Sequence, residues 1–568
     1  MEEAAVISNM RLIIGKTEEK NSELVCEFIK GALLSNVLRK EGVFVDMPCS
    51  GMGRCGKCRV KFLEGASVAT DADRRFFSEK ELEEGYRLAC RAVLKEDARI
   101  ELLDGNLEIG SEVADGSKND LGDLCKKQES LGMAGSQKIV VAIDIGTTTI
   151  AASLVSNGAT VTGMNHQRSF GADVISRIQA SVSGNGDELR RLVLDDIRSM
   201  IYKAFSKAGL SADTEPDEIV IAGNTTMLHL LMGDSCEGLG KAPYTPVRLA
   251  YPELSYSDVF GTGAEEKSGS TGISDSKHGA QSDTDNKYAH TKVRLLPGIS
   301  AFVGADIVSG MYSLGFDRVP EGKAYMLIDL GTNGEMAIAG SDRILVASTA
   351  AGPVFEGGGI SCGMPGVEGA IEHVTISKGG AEAEGNGGRA YFKVKAQTIG
   401  DVKASGICGS GVLELVSELR RCEIIDETGL LMDEYFDNGF PVDEEGSVSF
   451  LQEDIRAVQL AKAAIRGGID TLLSEYGCSA ADVDKVYLAG GFSEHISPEN
   501  IRYLNILPGE FVDGNVISCI GNASLSGCIK VAEDDSGDDL QRIVSKTREV
   551  VLATEDAFSE AFLENMNF

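Results

Sequence analysis

One pattern occurs twice in this chain, and it constrains the fold more than any other feature. Ile139-Val140-Val141-Ala142-Ile143-Asp144-Ile145 reads as an apolar strand carrying an aspartate near its end. Gly146-Thr147-Thr148-Thr149 then turns the chain into a second strand that runs to Val155. The pattern returns at Tyr325-Met326-Leu327-Ile328-Asp329-Leu330, followed by Gly331-Thr332-Asn333-Gly334-Glu335, with Asp329 standing 185 residues after Asp144. Such self-similarity predicts two related α/β halves rather than one continuous domain. A turn rich in Gly and Thr offers N–H and hydroxyl donors to phosphate oxygens. An aspartate at the preceding strand end suits Mg²⁺, which takes hard oxygen ligands and keeps waters. Asp144, Asp329 and Glu335 are therefore the candidate catalytic groups. Gly146, Thr147, Thr148, Thr149, Gly331, Thr332, Asn333 and Gly334 are the candidate phosphate cradle.

A second chemistry occupies the first hundred residues. Cys49, Cys55 and Cys58 lie in one Gly-rich loop, and Cys90 follows with thirty-one residues between. Three thiolates in one loop and a fourth on a distant segment is how a [2Fe–2S] ferredoxin holds its cluster, although the first gap is five residues where the plant type has four. A structural zinc site could also use four cysteines, but it usually pairs two short Cys-x₂-Cys knuckles, and here there is one. Arg54, Lys57, Arg59 and Arg91 bring positive charge to the loop, favouring a reduced centre and an acidic docking partner.

Around these motifs the chain divides into a 1–103 unit, a 104–137 linker, a 138–300 half and a 301–568 half. The first unit reads as β-grasp-like. Leu12-Ile13-Ile14 and Leu24–Phe28 suggest a hairpin, and Leu33, Leu34, Val37 and Leu38 share one helix face. The linker is polar, with a short helix expected near 121–128. Helices are expected at 171–182, 187–208, 408–422 and 453–476, and strands at 218–222 and 485–489. Residues 257–292 are nearly devoid of apolar side chains towards their end and read as a mobile surface insertion.

The 67 glycines among 568 residues exceed the usual share of about 7%, which fits loops that work through their backbone. A net charge of −33 argues against nucleic acid and against anionic membranes. No apolar run approaches 18 residues, so no membrane span is expected. The start of the sequence lacks the basic, then apolar, pattern of a secretory signal, and thirteen cysteines without one suggest a reducing, cytoplasmic location. The other nine cysteines read as buried or idle thiols, and the scattered histidines form no hydrolase-type triad.

The order Asp144–Thr149, Asp329–Glu335 and Ala489-Gly490-Gly491-Phe492 resembles the two phosphate loops and the adenosine motif of the actin / Hsp70 / sugar-kinase (ASKHA) superfamily. Gly406–Gly411, with Gly409, Ser410 and Gly411, and Cys519–Ala523 resemble its connecting helices. The joint arrangement resembles the reductive activators of corrinoid proteins, supported by Gly223–His229, Leu296–Ile307 and Gly352–Gly357. That resemblance implies a multidomain α/β chain: a β-grasp ferredoxin-like domain, a linker, and two RNase H-like/actin-like halves. It also implies a [2Fe–2S] cluster, ATP and Mg²⁺, a corrinoid partner protein of a methyltransferase system, an upstream low-potential electron donor, and a homodimer. The activity implied is ATP-dependent return of an inactive Co(II) corrinoid to Co(I). The residues leave three other readings open: activation of a different low-potential enzyme, a redox-sensing small-molecule kinase, and a non-enzymatic ATP-gated binding module in which the cluster is structural.

Overall fold

The computed structural model describes residues 9–15, 24–43, 45, 47, 49, 51–103, 138–261, 288, 290–378, 392–443, 445–490, 497–534 and 537–568. The expected linker, the helix near 121–128 and the pair Gly491-Phe492 lie outside the described residues. Those of 1–111 and 163–193 form one compact unit, and those of 112–162 and 194–568 a second.

The first unit is built on strands β1 (Asn9–Ile14), β2 (Leu24–Ile29), β3 (Arg59–Glu64), β4 (Tyr86–Leu88) and β5 (Ala98–Leu102) in the order β2-β1-β5-β3-β4. β1 and β2 form the expected hairpin, and β1 runs parallel to β5. The helix Leu34–Lys40 buries Leu34, Val37 and Leu38 beside Leu12, Ile14, Val60 and Ile100. That alternation of buried strand positions with one helix face is what a β-grasp core requires. The 163–193 segment anchors on the same helix. The Arg39 guanidinium donates to the Ser169 carbonyl at 3.0 Å and lies 4.0 Å over the Phe170 ring.

The second unit holds the duplication. Its first sheet contains β6 (Val140–Ile145), β7 (Thr149–Leu154), β8 (Ala159–Met164), β9 (Glu218–Gly223), β10 (Leu254–Ser255) and β11 (Lys292–Leu295), ordered β10-β11-β9-β6-β7-β8. Its second contains β12 (Tyr325–Leu330), β13 (Gly334–Ala339), β14 (Ile344–Thr349), β20 (Lys485–Ala489), β21 (Ile517–Cys519) and β22 (Thr547–Glu549), ordered β21-β20-β12-β13-β14-β22. Inserted between β14 and β20 in sequence come β15 (Ala370–Lys378), β16 (Phe392–Thr398) and β17 (Gly406–Ile407) in a small sheet, and the pair β18 (Phe440–Pro441) and β19 (Ser449–Phe450).

The two large sheets share one plan. β6 is antiparallel to β7 and parallel to β9; β12 is antiparallel to β13 and parallel to β20. Both strand-end aspartates therefore sit where a tight turn meets a parallel neighbour, the kind of edge at which α/β sheets bind ligands. The helices Ala305–Ser313 and Ala523–Glu533 pack together, and the second of them also lies on β6 and β9. Small residues let them close: a Cβ on Gly527 would lie 2.0 Å from the Ser309 carbonyl oxygen.

The expected insertion needs a correction at its start. Tyr256–Phe260 is a helix, capped by Ser255 and Asp258 in a reciprocal box, and Tyr256, Val259 and Phe260 are buried. Tyr288 packs against the Tyr256 ring at 4.7 Å. The polar pair Ser257-Asp258 hid the anchoring apolar residues in the sequence. Residues 262–287 and 289 lie outside the described residues.

Candidate functional site

The first strand–turn–strand unit delivers Asp144 from the end of β6. Ser524 Oγ donates to Asp144 Oδ1 at 2.7 Å, and Asn522 Nδ2 donates to Oδ2 at 2.8 Å. Both donors come from the start of the helix Ala523–Glu533, which Asn522 also caps by accepting from the Leu525 N–H at 2.7 Å. Desolvation pushes the Asp144 carboxyl up, and these two hydrogen bonds oppose it. Thr147, in the turn, accepts from Asn224 Nδ2 at 3.1 Å, and Asn224 in turn caps the helix Thr225–Met232.

The second unit delivers Asp329 and Glu335. The Gly331 N–H donates to the Asn333 carbonyl at 3.0 Å, closing the turn, and Asn333 Nδ2 donates to Glu335 Oε1 at 3.1 Å. Gly490, the residue after β20, stands against this strand end: a Cβ there would lie 2.3 Å from the Leu330 carbonyl oxygen, and its φ is +100°. Only glycine fits both requirements. Gly409 and Gly411 have a packing reason to be glycine, since their Cβ atoms would lie 1.9 Å from the Phe355 oxygen and 2.3 Å from the Ile371 oxygen. Ser410, between them, sits in the first turn of the helix Gly409–Arg421.

The structure adds two carboxylates that sequence reading did not assign. Asp306 opens the helix Ala305–Ser313. Burial, then the nearby Asp144 charge, pushes its carboxyl to about 7. Asp329 is also pushed to about 7, first by burial and then by Asp306, Asp144 and Glu356. Glu335 is raised well above the usual carboxylate range by burial, with Asp306 and Asp329 adding to it. The aspartates keep some surface open to solvent, but the protein mass around each is what governs its charge. Asp144, Asp306, Asp329 and Glu335 form a close set of hard-oxygen carboxylates that a divalent cation would stabilise. Among the described residues no three such side chains converge to chelate an ion alone. Mg²⁺ takes one or two carboxylates and completes its shell with phosphate oxygens and water.

The cysteine loop meets the demands of a two-iron cluster. Cys55 Sγ lies 3.3 Å from Cys49 Sγ, and Cys58 pairs likewise with Cys90. The sulfurs therefore fall two and two, Cys49 with Cys55 and Cys58 with Cys90, the grouping that two tetrahedral irons need. Sulfurs on a metal with bonds of about 2.3 Å would stand about 3.8 Å apart, a small adjustment. The Cys55 thiol pulls Cys49 down to about 4, with main-chain N–H groups of Arg54, Cys55 and Gly53 helping. Cys90 is lowered by Cys58, and Gly53 N–H reaches it too. Gly56 has φ +67°, and a Cβ there would meet the Phe76 ring at 2.5 Å. Arg91 Nη2 donates to the Met52 carbonyl at 2.5 Å and Arg59 Nε to the Gly56 carbonyl at 2.9 Å, so two of the four basic residues brace the loop.

These features define a ferredoxin joined to an ASKHA-type nucleotide-binding unit. The comparisons agree domain by domain. Residues 18–95 match the 2Fe-2S iron-sulfur cluster binding domain, 139–266 the RACo middle region, and 323–568 the C-terminal ASKHA domain of RACo. The chain is 30% identical over 459 residues to the corrinoid activation enzyme RamQ of Eubacterium limosum, covering 75% of this chain and 70% of the relative. It is 26% identical over 459 residues to the [Co(II) methylated amine-specific corrinoid protein] reductase of Methanosarcina barkeri, covering 75% and 76%. A solved reductive activator for corrinoid, iron-sulfur protein superposes with a TM-score of 0.63 at 25% identity, covering 98% of each chain. The chain belongs to the family of reductive activators of corrinoid proteins, and its resident groups are a [2Fe–2S] cluster and ATP.

Proposed function

We propose that this protein uses MgATP to drive one electron from its cluster to the Co(II) corrinoid of a partner protein, regenerating Co(I) for methyl transfer. The observation that carries the reading is the convergence of both repeat aspartates in one unit of a chain that also bears a complete two-plus-two cysteine set. When bound, the cluster supplies one-electron chemistry. Cys49, Cys55, Cys58 and Cys90 hold it, and the N–H groups aimed at Cys49 and Cys90 favour the added electron. A plant-type centre sits near −400 mV, and each 100 mV of further reducing power costs about 2.3 kcal/mol per electron. Nucleotide binding is where that energy enters. Asp144 and Asp329 position Mg²⁺ and the attacking water, Glu335 supports them, and the threonine turns with Gly409–Gly411 and Gly490–Phe492 receive the nucleotide.

The partner is a corrinoid protein of a methyltransferase system, recharged by an upstream low-potential donor. The protein acts in the cytoplasm as a homodimer, with the 138–300 and 301–568 segments as the two halves about the nucleotide. Among the described residues no helix is long and apolar enough to cross a membrane. The test is steady-state: reduced protein, a Co(II) corrinoid protein and excess reductant, with growth of the Co(I) absorption followed with and without MgATP. ATP-dependent growth supports the proposal. Equal growth without ATP refutes it.

A further inference from the structure

Glu356 ends the short turn Pro353–Glu356 and belongs to neither repeat. Its carboxylate accepts from both of them. Thr148 Oγ1, in the first turn, donates to Oε2 at 2.5 Å, and Thr332 Oγ1, in the second, donates to Oε1 at 3.0 Å. A Cβ on Gly331 would lie 3.8 Å from the same Oε1, so the carboxylate lies over the second turn itself. These hydroxyls are the donors that the two turns offer to phosphate oxygens. An anion with one oxygen on each turn does what a bound phosphate would do.

We infer that Glu356 is a built-in occupant of the phosphate position: it clasps the two turns in the nucleotide-free protein, and a phosphate of ATP displaces it to take both hydroxyls. The inference rests on the nucleotide reading of the turns. Displacement has a direct outlet. The Phe355 carbonyl beside Glu356 presses on Gly409, where a Cβ would lie 1.9 Å away, and Gly409 opens the helix Gly409–Arg421. A shift of Glu356 therefore moves the turn Pro353–Glu356 against that helix, converting nucleotide arrival into displacement of a packed element.

The test is an equilibrium titration of the full chain, with its cluster, by magnesium and a non-hydrolysable ATP analogue. Glu356→Ala should bind about tenfold more tightly than the parent, the equivalent of about 1.4 kcal/mol. Glu356→Gln keeps the shape and should shift binding in the same direction by less. Equal or weaker binding in either folded variant overturns the clasp, because a carboxylate that merely shaped the site would help nucleotide binding. Combining Glu356→Ala with Thr332→Val should shrink the gain, since half the clasp is already gone. An undiminished gain would assign the effect to charge repulsion and also overturn the clasp. If the parent and both variants bind no nucleotide, the nucleotide reading itself fails, and the clasp with it.

Discussion

Ser524→Ala isolates one hydrogen bond in the proposed Mg²⁺ site. Ser524 is 4% exposed, and its hydroxyl donates to Asp144 Oδ1 at 2.7 Å. Removing it leaves Asn522, among the described residues, as the remaining side-chain donor to that carboxylate. A hydrogen bond to a charged group contributes about 1.5–3 kcal/mol net. Asp144 is already raised by burial, so losing this bond makes the ionised form harder to keep. Mg²⁺ needs that ionised form, so MgATP affinity at pH 7 should fall, by at most about 10- to 150-fold, the same energy expressed as a binding ratio. The defect should shrink as pH rises, because the lost energy acts through proton competition. Calorimetric titration with MgATP from pH 6 to 9, with the cluster spectrum as a folding control, measures both effects. An unchanged affinity at pH 7, or a loss of equal size at every pH, would refute the reasoning.

Asp329→Ala should leave the cluster absorption and EPR signal intact while abolishing ATP-stimulated Co(I) formation; intact turnover would remove Asp329 from the mechanism. The nucleotide-free protein should lose stability as pH rises from about 4 to 7. Asp306 and Asp329 are both raised from 3.8 to about 7, so over that window the folded chain holds protons that the unfolded chain has released, and the slope of stability with pH is negative. Melting temperatures measured with a chelator across this range check the sign, and Asp306→Asn should flatten the trend.

Much of this was legible in the sequence where one residue type has one physical use. The strand Lys485–Ala489 and the turns after Asp144 and Asp329 were readable because apolar runs end abruptly in Gly and Thr. The cysteine spacing similarly announced a thiolate cage. Asp306, Glu356, Asn522 and Ser524 were not assigned, although the first three lay in stretches already singled out. Their roles depend on tertiary approach: Asn522 meets Asp144 across 378 residues and Glu356 meets Thr148 across 208. A carboxylate in a turn has no periodicity to mark it. A search for acidic residues within the Gly-rich stretches would have found Asp306 and Glu356. The Asn522–Ser524 brace follows from a close helix packing that only the fold displays.

The central claim is that one chain couples nucleotide to a single electron, and stoichiometry tests it most directly. The cluster is reduced, excess reductant is removed, and a Co(II) corrinoid protein is added anaerobically with or without MgATP. The loss of the reduced-cluster EPR signal is then counted against the Co(I) formed. The account predicts one Co(I) for each cluster oxidised, and only when MgATP is present. Cluster oxidation without Co(I), or the same yield without nucleotide, would contradict it.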